Sequence, residues 1–423
     1  MSSITIILSL LLLDILSDIP DKGLHYAYVD AYNGQMFNFT ALPPLSLYVH
    51  IPWCVRKCPY CDFNSHTSSN ALPEKQYLAS LFSDLEHDLP EVWGRPVQSI
   101  FIGGGTPSLF SAEAIDELIA GLRMRLALEP MAEITLEANP GAIDAGKFAE
   151  FKDAGINRLS IGCQSFNNDY LEKLGRIHNA KEAISAVESA HTAGFDNVNL
   201  DLMFGLPGQT LHTAKTDIEQ AIALSPSHIS HYQLTIEPNT LFHHSPPVLP
   251  EAESSWAIQE QCENLLTESG YGHYEISAHA KPGKQCLHNL NYWQFGDYLG
   301  IGAGAHAKIS SAASQNITRS WKHKHPDKYL AAKEMKDHIS GSSILSRHDA
   351  AFEFMMNALR LKQGFSKTLF SERSGLAIQQ ISKALEKAEQ LKLISHDVTN
   401  IHATEHGWHF LNDLIALFLK EES

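Results

Sequence analysis

The stretch His50-Ile-Pro-Trp-Cys54-Val-Arg-Lys-Cys58-Pro-Tyr-Cys61 places half of the protein's 6 cysteines within eight residues. It follows directly on an apolar run, Ser46–Ile51, that reads as a β-strand. Thiolates are soft ligands, suited to zinc or to an iron–sulfur cluster. Three thiolates do not complete a four-ligand site. A closed zinc site would take a fourth ligand, and His50 or His66 is close enough in sequence to supply it. A cubane cluster held by three cysteines instead leaves one iron open to a small molecule. Unrelated buried thiols have no reason to share this spacing.

Outward from this stretch, strands and helices alternate. Strand-like runs rich in Val, Ile and Leu lie at Ser46–Ile51, Ser99–Ile102, Glu133–Leu136, Arg158–Ile161, Val198–Leu202 and Ile229–Leu234. Helical patterns lie between them at Glu74–Leu89, Ala112–Leu126, Ala145–Ala154, Ala180–Ala193 and Leu211–Leu224. This repetition predicts an α/β fold with parallel strands and right-handed crossovers, as a partial barrel or an open doubly wound sheet. Either architecture puts the functional site at the C-terminal ends of the strands.

The chain has 423 residues, 44% hydrophobic and 19% charged, with a formal net charge of −16. The apolar share is that of a globular protein. Six cysteines at this length cannot form a disulfide scaffold, and the acidity argues against a broad nucleic-acid surface. At the N-terminus, Ile4–Leu16 is apolar but broken by Asp14 and shorter than the about 20 residues a spanning helix needs. No basic residue precedes Lys22, so it does not read as a signal peptide. The expectation is an N-terminal extension over 1–41, disordered or a start-site artefact with Met36 as the alternative start, in a cytoplasmic protein.

The core is expected over 42–245, a barrel-covering region over 246–345, and a C-terminal, mostly helical, winged-helix-like domain over 346–423. That last domain is expected to hold helices near Ala350–Leu361, Ala377–Leu393 and Trp408–Leu419, with a polar turn or wing at Ser395–Thr404. Acidic residues outnumber basic ones in Ala351–Ser423, which speaks against DNA binding.

The C-x3-C-x2-C spacing, with Tyr60 before the last cysteine, resembles the radical S-adenosylmethionine (SAM) superfamily. The resemblance implies a partial (β/α)6 barrel, a [4Fe-4S] cluster on Cys54, Cys58 and Cys61, and SAM chelated to the open iron. The other strand ends supply what a SAM pocket needs. Strand two runs into Gly103-Gly104-Gly105-Thr106-Pro107, where backbone can approach a ligand closely. Strand three ends in Glu137-Ala-Asn139-Pro140, strand four in Gly162-Cys163-Gln164-Ser165-Phe166, and strand five carries Asp201. A polar residue ending an apolar strand is costly unless paired, and several in a row point to a shared ligand. Carboxylates can accept from ribose hydroxyls, and Gln164 and Arg176 can fix ribose or the methionyl carboxylate.

Leu47-Tyr48-Val49-His50-Ile51-Pro52, GGGTP, LEANP, SIGCQSF and DLMFGLPGQT together resemble the oxygen-independent coproporphyrinogen III dehydrogenase group, from about Leu42 to the C-terminus. By matching positions, the resemblance implies SAM contacts from Tyr48, Tyr60, Gly104, Gly105, Thr106, Glu137, Gln164, Arg176 and Asp201. Cys163 and Cys262 read as packing residues. In the dehydrogenases the cluster motif continues to a fourth cysteine, C-x3-C-x2-C-x-C. Here that position is Phe63.

His288-Asn289-Leu290-Asn291-Tyr292-Trp293 matches H-N-x-x-Y-W, which resembles the mark of the HemW haem-chaperone branch. Histidine is a common axial ligand of haem iron, and Tyr and Trp offer flat apolar faces to a macrocycle. His288, Asn289, Tyr292 and Trp293 are therefore the expected haem residues, with Cys286 and His306 as rival ligands and a capped loop with two core aromatics as the plain alternative. The resemblance implies a protein that binds haem, a cluster and SAM and passes haem to an acceptor protein. The alternative is a decarboxylating coproporphyrinogen dehydrogenase. An RNA-modifying radical SAM protein would need a basic appendage, which is absent. A homodimer is left open, no nucleic acid is expected, and any membrane contact would be transient.

Overall fold

The computed structural model describes residues 37–68, 71–142 and 146–419. The apolar run 4–16 and the alternative start at Met36 lie outside the described residues. Six parallel strands form the frame: β1 (Leu45–Ile51), β2 (Pro96–Gly104), β3 (Ala127–Ala138), β4 (Arg158–Gln164), β5 (Val198–Phe204) and β6 (His228–Gln233). Between them run α1 (Glu74–Asp88), α2 (Ala112–Arg125), α3 (Lys147–Asp153), α4 (Ala180–Thr192) and α5 (Leu211–Ala223). The strands stand in chain order from β1 to β6. A doubly wound sheet reverses its order beside the first strand, so this is the partial (β/α)6 barrel, with its crossover helices on one face.

The sequence sets the helix starts locally. Asn179 and Glu182 form a capping box at α4, Thr210 and Thr213 another at α5, and the Ser111 hydroxyl accepts from Ala114 N at α2. The outward positions of the strands, such as Leu47, Val49, Ile100, Leu136, Leu159 and Leu200, pack on Leu81, Ile115, Leu122, Phe151, Val187 and Ile218 of the helices. Each such side chain, fully buried, contributes about 1.5–3 kcal/mol. Cys163 and Cys262 belong to this core, as expected from their settings.

Many of the inward positions are polar. Ser46 meets Ser99 at 2.8 Å, Asn199 Nδ2 donates to Ser160 at 2.8 Å, and His228 Nδ1 lies 2.6 Å from Asn199 Oδ1. These alternating polar residues do not face water. They fill the lumen of the curved sheet.

Residues after 246 do more than cover the barrel. Beyond α6 (Ala252–Glu268) the chain adds β7 (Gly272–Glu275), β8 (Ala278–Ala280), β9 (Asp297–Ile301), β10 (His306–Ser311), β11 (Asn316–Lys322) and β12 (Ile339–Ile344). The result is a 12-stranded sheet in the order β12-β11-β10-β9-β1-β2-β3-β4-β5-β6-β8-β7. Between β8 and β9, α7 (Leu287–Trp293) turns into the lumen against β1, β2 and β9.

The C-terminal unit starts with α8 (Arg347–Ala358) and closes its own core around Phe354, Phe370 and Leu414. The expected helix Ala377–Leu393 begins as a 3-10 turn at Ile378–Ile381 and continues as Ser382–Gln390. The expected Trp408–Leu419 helix is two pieces, Glu405–His409 and Leu411–Ala416, broken at Phe410 (φ −111°, ψ 42°). Ser395–Thr404 forms a hairpin that, with Phe365–Ser366, makes a three-stranded wing. Among the described residues no helix is long and apolar enough to cross a membrane.

Candidate functional site

The cysteine loop leaves the end of β1 and is closed by a short parallel pairing of Trp53–Cys54 with His66–Thr67. Asn64 clasps it to the rest of the molecule. Its Nδ2 donates to Ala303 O at 2.9 Å and Lys324 O at 2.8 Å. Its carbonyl lies 2.9 Å from His50 Nε2, and its Oδ1 3.2 Å from His66 Nε2. Burial lowers the His50 pKa to about 4, so the ring is neutral. It then donates from Nε2 to Asn64 and accepts at Nδ1 from the Tyr48 hydroxyl 3.0 Å away. His50 and His66, the candidate fourth ligands of a zinc site, are thus engaged in holding Asn64.

Among the described residues no group of three or more His, Cys, Asp or Glu side chains is set to hold one metal ion. Cys54, Cys58 and Cys61 line a shared cavity, where each thiolate of a cubane would take a different iron. Burial pushes the Cys54 thiol up and the Cys61 thiol to about 12. Without cationic metal these thiols stay protonated, and bound iron inverts that preference.

The cavity encloses about 750 Å³, its open mouth included. The β2 end is laced to the cluster loop, with Gly105 N donating to Ile51 O and Thr106 N to Trp53 O, both at 2.8 Å. Gly104 sits at φ +119°, and a Cβ there would lie 2.7 Å from His50 Cε1. A Cβ on Gly105 would lie 2.5 Å from Trp53 O and 3.0 Å from Cys54 Sγ. Only glycine lets this wall pass so close to the cluster loop.

Three further strand ends meet the same cavity. Glu137 Oε2 accepts from Gly104 N at 3.1 Å. Asp201 accepts from Ser160 and Asn199, each at 3.0 Å, and keeps lone pairs for hydroxyl donors. Gln164 holds φ +68°, a left-handed conformation that costs a non-glycine residue on the order of 1 kcal/mol. The Tyr232 hydroxyl bonds Gln164 Oε1 and keeps it there.

Arg176 spans the site, with Nη2 on Gly162 O at 2.9 Å and Nη1 3.5 Å from the Tyr60 hydroxyl and 3.8 Å from Cys58 Sγ. Its Nε is buried with no protein partner. Three thiols, a glycine wall, an orphaned guanidinium N–H for a carboxylate, and two carboxylates for hydroxyls fit a cluster and SAM together.

Of the expected SAM residues, Tyr60, Gly104, Gly105, Thr106, Glu137, Gln164, Arg176 and Asp201 line this cavity. Tyr48 does not. It stands one layer deeper, on His50 and against Phe101 and His288 at ring separations of 6.3 and 6.5 Å. Ser160, Gly162 and Tyr232 also line the cavity. Ser160 and Gly162 were legible, because they share the inward phase of β4 with Gln164.

The expected haem residues sit on α7 inside the lumen. His288 and Asn289 are fully buried and Trp293 nearly so. Ser99 Oγ lies 3.1 Å from His288 Nδ1, while Nε2 has no partner. Burial lowers the His288 pKa to about 3, so the ring is neutral. Phe101 and Tyr292 flank it at 5.2 and 5.4 Å. Trp293 points the other way, with Arg360 5.6 Å from its ring. Of the rivals, Cys286 donates its Sγ–H to Glu133 Oε1 at 3.4 Å at the start of α7. His306 stacks on Trp321 at 6.4 Å on β10.

Residues 48–221 match the model of the radical SAM superfamily, and residues 345–410 that of the HemN C-terminal domain. A heme chaperone HemW of Haemophilus influenzae is 51% identical over 385 residues, 90% of this chain and 99% of that protein. The heme chaperone HemW of Escherichia coli is 48% identical over 380 residues, 90% of this chain and 99% of that protein. The Escherichia coli coproporphyrinogen III oxidase HemN, a radical SAM enzyme, superposes with a TM-score of 0.76 at 24% identity, covering 89% of this chain and 90% of that one, which is a likeness of fold.

Proposed function

The chain belongs to the HemW haem-chaperone family of radical SAM proteins, and from that premise we propose that it binds haem, a [4Fe-4S] cluster and SAM and passes the haem to an acceptor protein in the cytoplasm. Cys54, Cys58 and Cys61 hold the cluster. Arg176 and Gln164 fix the methionyl carboxylate or the ribose of SAM, Glu137 and Asp201 take its hydroxyls, and Gly104 and Gly105 let backbone reach its amino group. When bound, the cluster supplies a single electron and one open iron position. Phe63 stands in the cavity wall where the dehydrogenases carry a fourth cysteine, which favours the chaperone over the decarboxylating enzyme.

The observation that carries the haem assignment is the unpartnered Nε2 of a neutral His288 between Phe101 and Tyr292. Its other nitrogen is already engaged by Ser99, so Nε2 is the one left for iron. Iron reaches it only when α7 shifts, because the ring is closed in by the lumen wall. Titrating purified protein with haem tests this. A saturable Soret shift that weakens in His288→Ala supports the proposal. No Soret shift in the intact protein overturns it.

A further inference from the structure

A haem donor must hold its cargo where an acceptor can reach it, and His288 is wholly buried. The surface carries a second set of groups with the same chemistry. On α6, Trp256 is 44% exposed, and on the C-terminal unit Phe410 is 49% exposed. The exposed His409 ring meets Trp256 edge-on at 4.3 Å, and the exposed His406 ring lies 4.9 Å from Phe410. Trp408 lies between these histidines in sequence, and the exposed Lys362 holds its ammonium 4.6 Å from the Trp408 ring. Trp256 touches His409, and Phe410 follows His409 directly in the chain, so the two exposed aromatics flank one short segment, and contiguous exposed apolar surface marks a binding face. Here each has an imidazole beside it, and a cation stands near.

We propose that this face, where α6 meets the Glu405–His409 helix, is an exposed haem-exchange site, with His409 or His406 taking the iron, Trp256 and Phe410 covering the macrocycle, and Lys362 meeting a propionate. The inference rests on the haem-chaperone reading and adds to it a place from which haem can leave. Iron–imidazole bonds exchange by substitution, with no change in the iron's oxidation state. An exposed imidazole yields its iron to an incoming ligand without opening the barrel. The chemistry selects the occupant: a plain protein-docking face uses aromatics and arginine, whereas two solvent-facing imidazoles, each beside an aromatic, suit a metalloporphyrin.

The experiment uses the intact, cluster-loaded protein. Haem is titrated by its Soret band, and release to apomyoglobin is timed. Four variants are compared with wild type: the double variant His406→Ala/His409→Ala, its counterpart His406→Gln/His409→Gln, Trp256→Ala, and His288→Ala. The double variants and Trp256→Ala are expected to slow release and weaken titration by on the order of tenfold, with iron content and SAM affinity unchanged. Free imidazole is expected to restore release in the Ala double variant. His288→Ala is expected to keep the exchange-site spectrum. Wild-type titration and release rates in both double variants would overturn the exchange site while leaving haem binding intact. Absence of haem binding in the wild type would overturn the parent reading instead, and a loss that imidazole does not restore would assign the face to protein docking.

Discussion

Ser99 and His288 meet inside the barrel, hydroxyl to Nδ1 at 3.1 Å, and the contact sets which imidazole nitrogen is left open. Ser99 lies on the inner face of β2 and His288 in the first turn of α7. Glu133 holds the same helix start by accepting from Leu287 N and His288 N, both at 3.2 Å. The ring is therefore positioned by two strands. Ser99→Ala is expected to keep haem binding but broaden and shift the Soret band, because the ring loses its orienting partner. His288→Ala is expected to give the larger change. Equal spectra for wild type and both variants would remove His288 as the ligand.

Replacing Cys54, Cys58 or Cys61 singly by Ala is expected to abolish the reconstituted cluster, since three thiolates are the minimum for a cubane with one open iron. Iron and sulfide analysis after anaerobic reconstitution checks this. Wild type should hold about four irons per chain, and a wild-type protein that takes up zinc alone would contradict the assignment.

Arg176→Lys is expected to weaken SAM binding roughly tenfold to a hundredfold while keeping the cluster. Lysine retains the charge but cannot bond Gly162 O and a ligand carboxylate from one planar group. Equilibrium dialysis with SAM on reconstituted protein reads the affinity, and the visible spectrum reads the cluster.

Glu275 supplies a pH test away from the metal. It is fully buried on β7, and burial pushes its pKa up to about 7 from an ordinary 4.5. The folded state therefore holds a proton that the unfolded chain has lost between these values. Its stabilising effect is present below about pH 4.5 and disappears as pH rises to about 7. Over that window the wild type should lose about 2–3 kcal/mol relative to Glu275→Gln. Urea unfolding at pH 5 and pH 7.5 checks this, and parallel slopes for the two proteins would refute it.

The strand ends were legible because their chemistry is local. A thiolate triplet, a glycine run and a polar residue closing an apolar strand each declare themselves within a few positions. The lumen below them was not. Ser46, Ser99, Asn199 and His228 alternate with apolar residues just as a solvent-facing strand side does, and only the curvature of the sheet turns them inward. The motif of α7 was legible but its helix was not: the plain alternative there was a capped loop, whereas Leu287–Trp293 is helical with His288 and Asn289 fully buried. Asn64 gave no signal at all, because its partners Ala303 and Lys324 lie 239 and 260 residues away. The six strands and five crossover helices of the barrel were readable from periodicity. The strands of 272–344 mix polar and apolar residues, and they pair onto the edges of the sheet already built.

The most direct measurement sets the two tetrapyrrole chemistries side by side. Anaerobic, cluster-loaded protein receives SAM and reductant together with either coproporphyrinogen III or haem and an apo-haemoprotein. The chaperone account predicts haem appearing in the acceptor and coproporphyrinogen III recovered unchanged. Decarboxylated tetrapyrrole, with no haem moved, would contradict it.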